Sequence, residues 1–390
     1  MRVLYDHQIF QEQDFGGVSR YFTELYSNCS AFDAEIAVVR SDNRHLFSLP
    51  EMKNRVRPYQ GEIDDCFWGL KFRGKRRLYD AIMKITRRPT PATTNLQHSV
   101  DRIRSSQYDL FHPTYYDPYF LEALGNRPFV LTVPDLIHEH FPEDFSPEDS
   151  TAFRKQLLCK RATRIISISN TTKNDLVEFL GIDPKKIDVV YLASSIMPGS
   201  YPESALVELP TRYILFTGSR DGYKNFFVFV RAIADILHEN RSLRLVCTGP
   251  SFKPEERSFF DQLAIADRIV HRTASDAELA ALYARAEMFV YPSLYEGFGM
   301  PTLEAFACGC PVVLSDTPAL REVAGNAALF FHPKRASELR SAVCRVLSDE
   351  VLKKTLVERG HQREALFSWK KAALETAQVY RRALDCAARN

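Results

Sequence analysis

The stretch Tyr291–Glu304, YPSLYEGFGMPTLE, decides how the rest of the chain is read. It leaves the β-branched apolar run MFVYP at 288–292 and enters the helical pattern TLEAFAC, so a strand ends, a tight turn intervenes and a helix begins. Pro301 suits the first helical turn, where its missing N–H costs nothing. Gly297 and Gly299 let the backbone come close to a ligand, and the free N–H groups at the positive helix end, from Phe298 and Met300 onward, suit a diphosphate. Glu304, one turn into the helix, is spaced to accept hydrogen bonds from the vicinal hydroxyls of a ribose, and Glu296, before the turn, to face a sugar.

Working outward, the same strand–turn–helix unit recurs. Toward the N-terminus, RVLYD at 2–6, AEIAVVR at 34–40, DLFHP at 109–113, PFVLTV at 128–133 and TRIISIS at 163–169 read as buried parallel strands separated by amphipathic helical stretches. After a loop near 194–210 the alternation restarts with YILFTG at 213–218, LRLVCTG at 243–249, RIVHR at 268–272, MFVYP, PVVLS at 311–315 and AALFFHP at 327–333. At 390 residues the chain exceeds what one core usually organises. The expectation is α/β architecture in two doubly wound, Rossmann-like domains facing a cleft: residues 1–195, residues 196–368, and a terminal helix, 369–390, returning to brace the first domain. Ligands of such sheets bind where strands run into helices, so chemistry is expected at these turns.

Composition narrows the function class. Hydrophobic residues make up 45% and charged residues 26%, an ordinary globular balance. Every apolar run is broken before the roughly 20 residues that a membrane helix needs, and Asp6 and His7 stand where a signal peptide would be apolar. A cytoplasmic protein is expected, free of transmembrane helices. The eight cysteines are scattered without metal-ligand spacing, so reduced thiols and no metal are expected. The net charge of +2 gives no nucleic-acid footprint. Its distribution is uneven: residues 67–89 carry Lys71, Arg73, Lys75, Arg76, Arg77, Lys84, Arg87 and Arg88 against Asp80, with Leu78, Ile82 and Ile85 on one helical face. That profile fits either a solvated basic face or a helix lying on an anionic membrane surface at the inner face of the cytoplasmic membrane.

The string EGFGMPTLE, followed by AFACGCPVVLSDTPALREV, resembles the donor-site signature of the family-4 retaining glycosyltransferases of GT-B fold. The resemblance spans most of 190–385 and weakens toward the N-terminus. It implies a nucleoside diphosphate sugar as donor, with Glu304 on the ribose and Glu296 near the sugar hydroxyls. In FTGSRDGYKNF at 216–226, again directly after a strand, Arg220 and Lys224 resemble the family's Arg and Lys that meet the β-phosphate, although they stand four apart where many members have five or six. Such cations beside a leaving phosphate replace a metal, and no other cofactor is implied. DFGGVSRYFTEL at 14–25 looks like the family's glycine-rich loop, with Gly16 and Gly17 passing under the donor. Arg20 there is equally readable as an anion contact or a helix-surface charge. Gly218, Gly249 and Arg272, at the ends of three strands of the second domain, complete the expected donor contacts.

LTVPDLIHEHFPEDF at 131–145 resembles a first-domain motif of bacterial polysaccharide glycosyltransferases in which a His precedes the Asp; here Pro134 stands in its place. Asp135 and His138 remain candidates for sugar or acceptor contacts, and His112 and Tyr115 lie at another strand end. The resemblance favours a hexosyltransferase of cell-surface polysaccharide or lipopolysaccharide synthesis, using a mannose or related GDP-sugar and a saccharide or lipid-linked acceptor. A catalytically silent sugar-nucleotide-binding subunit and a GT-B-fold epimerase are the alternatives.

Overall fold

The computed structural model describes residues 1–59, 66–67, 70, 74–86, 91–196, 198–199, 209–220 and 222–389. Its strands are all parallel. In the first domain β1 (Arg2–Tyr5), β2 (Asp33–Ile36) and β3 (Leu110–His112) run in the order β2-β1-β3, and β4 (Val130–Val133), β5 (Arg164–Ser167) and β6 (Ile187–Val189) in the order β4-β5-β6. A bridge from Phe111 to Phe129 joins the two sets. The second domain has β7 (Arg212–Phe216), β8 (Leu243–Thr248), β9 (Ile269–Arg272), β10 (Met288–Tyr291), β11 (Val312–Ser315) and β12 (Leu329–Phe331), ordered β12-β11-β10-β7-β8-β9.

Counted from the edge, that second order is third, second, first, fourth, fifth, sixth, the doubly wound arrangement. The strand order reverses between β7 and β10, and there the connecting loops diverge to opposite faces and leave a crevice at the strand ends. The turns after β7 and β10 carry Arg220, Lys224 and Glu296. Helices cover both faces, which is why β10 and β11 read as unbroken apolar runs: all four residues of each are buried. Strand β6, only Ile187–Val189, has no counterpart among the expected strands because Asp188 interrupts its short apolar run.

The helix Trp369–Ala387 packs on β4, β5 and the helix Gly17–Ser27, turning Ala372, Ala373, Ala377 and Ala383 inward. The Tyr380 hydroxyl lies 3.0 Å from that of Tyr5 and 2.7 Å from His112 Nδ1, and Trp369 Nε1 donates to Ser195 Oγ at 3.0 Å. No described helix is long and apolar enough to cross a membrane. Of the basic segment 67–89, the helix Lys75–Thr86 is described, while Lys71, Arg73, Arg87 and Arg88 lie outside the described residues. Of the apolar face expected on Leu78, Ile82 and Ile85, Leu78 is exposed together with Arg76, Arg77 and Lys84, Ile82 packs against the buried pair Tyr79 and Met83, and the Ile85 side chain lies outside what is described.

Candidate active site

The two turns at the crevice meet side chain to side chain. Lys224, on the short 3-10 turn Gly222–Lys224, donates from Nζ to Glu296 Oε1 at 2.7 Å and to the Tyr291 hydroxyl at 3.2 Å. Burial works against the Lys224 ammonium, but Glu296, Tyr291 and Tyr223 around it outweigh that cost and hold its pKa well above the usual lysine value. The turns are also joined by backbone, Leu294 N–H to Tyr223 O at 2.8 Å. Gly299 caps the helix Met300–Ala307 at φ 93°, left-handed space open to glycine. Gly297 is required for a different reason: a Cβ there would lie 1.9 Å from the backbone oxygen of Pro134, across the cleft.

Arg220 is engaged within its own domain, by partners that no local pattern signals. Its Nε bonds Glu256 and its Nη2 donates to the carbonyls of Pro250 and Ser251 at 2.6 and 3.1 Å. Nη1 is buried without a partner, and the residue lines the cleft cavity. Gly218 and Gly249 lie back to back at the ends of β7 and β8, and Arg272 closes β9. Phe298 turns its ring into the core against Tyr191 and Phe367, leaving only its backbone to the turn, and Met300 reaches across to Gly17.

Glu304 is buried one turn into its helix, as its spacing suggested, but its partners come from elsewhere. Tyr283 donates to Oε2 at 3.2 Å, and Arg20 of the first domain reaches Oε1 at 3.3 Å while bonding Asp276 at 2.6 Å. Burial pushes the Glu304 carboxyl above its ordinary range, and Arg20 and Tyr283 pull it back. Arg20 is therefore a cross-cleft ion-pair partner and not a helix-surface charge. The arginine and its two acids are more than 250 residues apart in the chain, and no local pattern signals them.

The first domain contributes most of a cavity of about 440 Å³ between the domains. Asp135, His138, Tyr115, Tyr116 and the buried Lys155 face Arg220, Tyr223 and Lys253 across it. His138 stacks on Phe145 at 3.9 Å with Nδ1 buried and unpartnered; burial, then the Lys155 charge, lower its pKa and favour the neutral ring. The structure thus brings Asp135, His138 and Arg220 to one cavity, and Lys224 and Glu296 to the paired turns beside it. His112 belongs to neither. Both of its ring nitrogens are bonded, to Tyr380 and to Thr132 at 3.0 Å, and complete burial drives its pKa down to about 3. It is a structural histidine.

Two facing doubly wound domains, with the acid–base pair at the switch point of the second, define a GT-B glycosyltransferase. Residues 15–193 match the family described as Glycosyltransferase Family 4, and residues 211–349 match Glycosyl transferases group 1; together these span most of the chain, which belongs to glycosyltransferase family 4. The O-antigen chain mannosyltransferase RfbU of Salmonella typhimurium is 28% identical over 55% of this chain and 59% of its own length, so the chain spans less than two thirds of that relative. The O-antigen chain mannosyltransferase B of Escherichia coli is 28% identical over 70% of this chain and 74% of its own. HepE from Anabaena, solved in complex with UDP and glucose, superposes with a TM-score of 0.72 at 16% identity, covering 97% of this chain and 98% of that one.

Proposed function

We propose that the chain is a retaining, metal-independent hexosyltransferase that moves a sugar, mannose or a close relative, from a GDP-sugar to a saccharide or lipid-linked acceptor in cell-surface polysaccharide synthesis. The observation that carries this reading is the 2.7 Å pair of Lys224 with Glu296 at the switch point between β7 and β10, eight residues ahead of buried Glu304. In it, Glu304 takes the ribose hydroxyls, and the amides after Glu296 take the diphosphate together with Lys224 and the unpartnered Nη1 of Arg220. Glu296 orients the sugar.

The bond from the anomeric carbon to the β-phosphate oxygen breaks, and the acceptor oxygen attacks from the same face. The leaving phosphate removes the acceptor's proton, and charge accumulates where Lys224 and Arg220 stand. These fixed cations are what make a metal dispensable. Closure of the cleft keeps water from competing with the acceptor. The mannose and GDP assignment leans on the names of the O-antigen relatives; the HepE complex with UDP gives the competing base. A membrane-surface role of 67–89 fits a lipid-linked acceptor, with Arg76, Arg77, Lys84 and Leu78 as its exposed described part.

The test is a panel of GDP-, UDP- and ADP-sugars with glycan acceptors, read as nucleoside diphosphate release. Acceptor-dependent release is expected with a GDP-sugar and is expected to fall about a hundredfold or more in Lys224→Ala and in Glu304→Ala. Near-wild-type turnover in either variant refutes the residue roles. Tight binding without release marks a silent subunit instead.

A further inference from the structure

The segment Leu136–Phe145, the unexplained part of the LTVPDLIHEHFPEDF motif, grips both donor turns from the opposite domain. Tyr295, immediately before Glu296, projects out of the second domain into the first. Its hydroxyl donates to Asp175 Oδ2 at 2.6 Å and accepts from Leu136 N–H at 3.2 Å, and its ring packs against that of His140 with centroids 4.2 Å apart. His140 Nε2 stands 3.2 Å from the same Asp175 oxygen. Two residues further on, the Gly297 carbonyl accepts from Ser169 Oγ at 2.6 Å and from Thr172 Oγ1 at 3.3 Å.

The other turn is held in parallel. Asp144 Oδ2 accepts from Tyr223 N–H at 3.2 Å, and the two Asp144 oxygens stand 2.7 and 2.8 Å from where a Cβ on Gly222 would lie. Phe141 lies between the turns, its ring 5.9 Å from Tyr223 and 6.4 Å from Tyr295. Lys224 and Glu296 are thus each adjacent in sequence to a residue pinned by the first domain: Tyr223 and Tyr295.

We propose that Leu136–Phe145, with Asp175, is a strap that sets the Lys224–Glu296 geometry when the cleft is closed, and that Tyr295 and Asp144 are positioning residues for transfer. This rests on the reading of the two turns as the donor's phosphate and sugar site. The nucleotide half of that site, Glu304 and the ends of β8 and β9, lies on the second domain outside the strap's reach. Loss of the strap therefore falls more heavily on turnover than on nucleotide capture, which the contacts to the nucleoside still anchor.

The experiment pairs single-turnover kinetics with calorimetric titration of the nucleoside diphosphate on Tyr295→Phe, Gly222→Ala, Asp144→Ala and the double variant Gly222→Ala/Asp144→Ala. Tyr295→Phe is expected to lower kcat about tenfold with nucleotide affinity within about twofold of wild type. Gly222→Ala, whose new methyl displaces the Asp144 carboxylate, and Asp144→Ala are each expected to lower kcat severalfold, and the double variant to lose no more than the worse single, since both changes break the same Asp144–Tyr223 contact. Circular dichroism and melting temperature of each variant establish that the fold is intact. Wild-type kcat in Tyr295→Phe, an equal fall in kcat and nucleotide affinity, or losses from Gly222→Ala and Asp144→Ala that add in full in the double variant overturn the strap. A wild-type chain that binds no nucleoside diphosphate sugar overturns the donor reading first, and this inference with it.

Discussion

Acid should loosen the first domain through His112, by an amount the structure lets one work out. His112 stands in a buried chain of hydrogen bonds: Tyr5 hydroxyl, Tyr380 hydroxyl, the imidazole, Thr132 Oγ1 and Tyr21 hydroxyl. With both nitrogens engaged and no charge nearby to offset burial, its pKa falls from the usual 6.5 to about 3. Between those values the unfolded chain binds a proton that the folded chain does not, so stability rises with pH in this window. The contribution is complete above 6.5 and is lost as pH falls toward 3. From pH 7 to pH 5 about 1.5 units of the window are crossed, at about 1.4 kcal/mol each, a loss of about 2 kcal/mol. The lowered values of His7, His45, His98 and His138 add to the total, so the informative quantity is the difference between wild type and His112→Phe. Urea unfolding followed by tryptophan fluorescence at pH 7 and pH 5 measures it. The variant should lose about 2 kcal/mol less than wild type on acidification, while costing about 1–2 kcal/mol at pH 7, since each hydroxyl keeps one partner. Equal pH losses in the two proteins would refute the reasoning.

Three further outcomes are expected. Gly297→Ala drives a Cβ against the Pro134 carbonyl, an obstacle no rotamer relieves, and should cut turnover at least about tenfold with secondary structure unchanged; a wild-type rate would mean the turn does not dock there during catalysis. Arg20→Gln removes the cation that offsets Glu304 burial, so the Glu304 carboxyl should ionise at higher pH and nucleoside diphosphate affinity should rise with pH more steeply than in wild type, and parallel calorimetric profiles would exclude it. Replacing Arg76, Arg77 and Lys84 together by Gln should weaken partitioning onto anionic vesicles by about 3 kcal/mol, roughly a hundredfold, and sedimentation that does not change would make this a merely solvated face.

The legible part of the site is the part written locally. Gly299, Pro301 and Glu304 are a turn and one helical repeat, and the same close spacing exposes Lys224 within FTGSRDGYKNF. His112 misled because a polar residue at a strand end looks alike whether it opens to a cleft or to the underside of a returning helix; only Tyr380, brought back by Trp369–Ala387, distinguishes the two. Arg220 stands at a strand end in the sequence and lines the cleft cavity in the structure, yet Glu256, which engages its Nε, has no signal beyond lying at the start of another helix.

From sequence alone came the two-domain α/β plan, the strand runs and the glycine-rich turn after β10, because backbone geometry, β-branching and helix entry act within a few residues of chain. The pairs that make a working cleft came from tertiary structure: Arg20 with Glu304 and Asp276, Tyr295 with Asp175, Asp144 with Tyr223, and the Pro134 carbonyl against Gly297. Each joins residues of different domains, and what selects them is the packing of two folded surfaces, for which sequence separation carries no information.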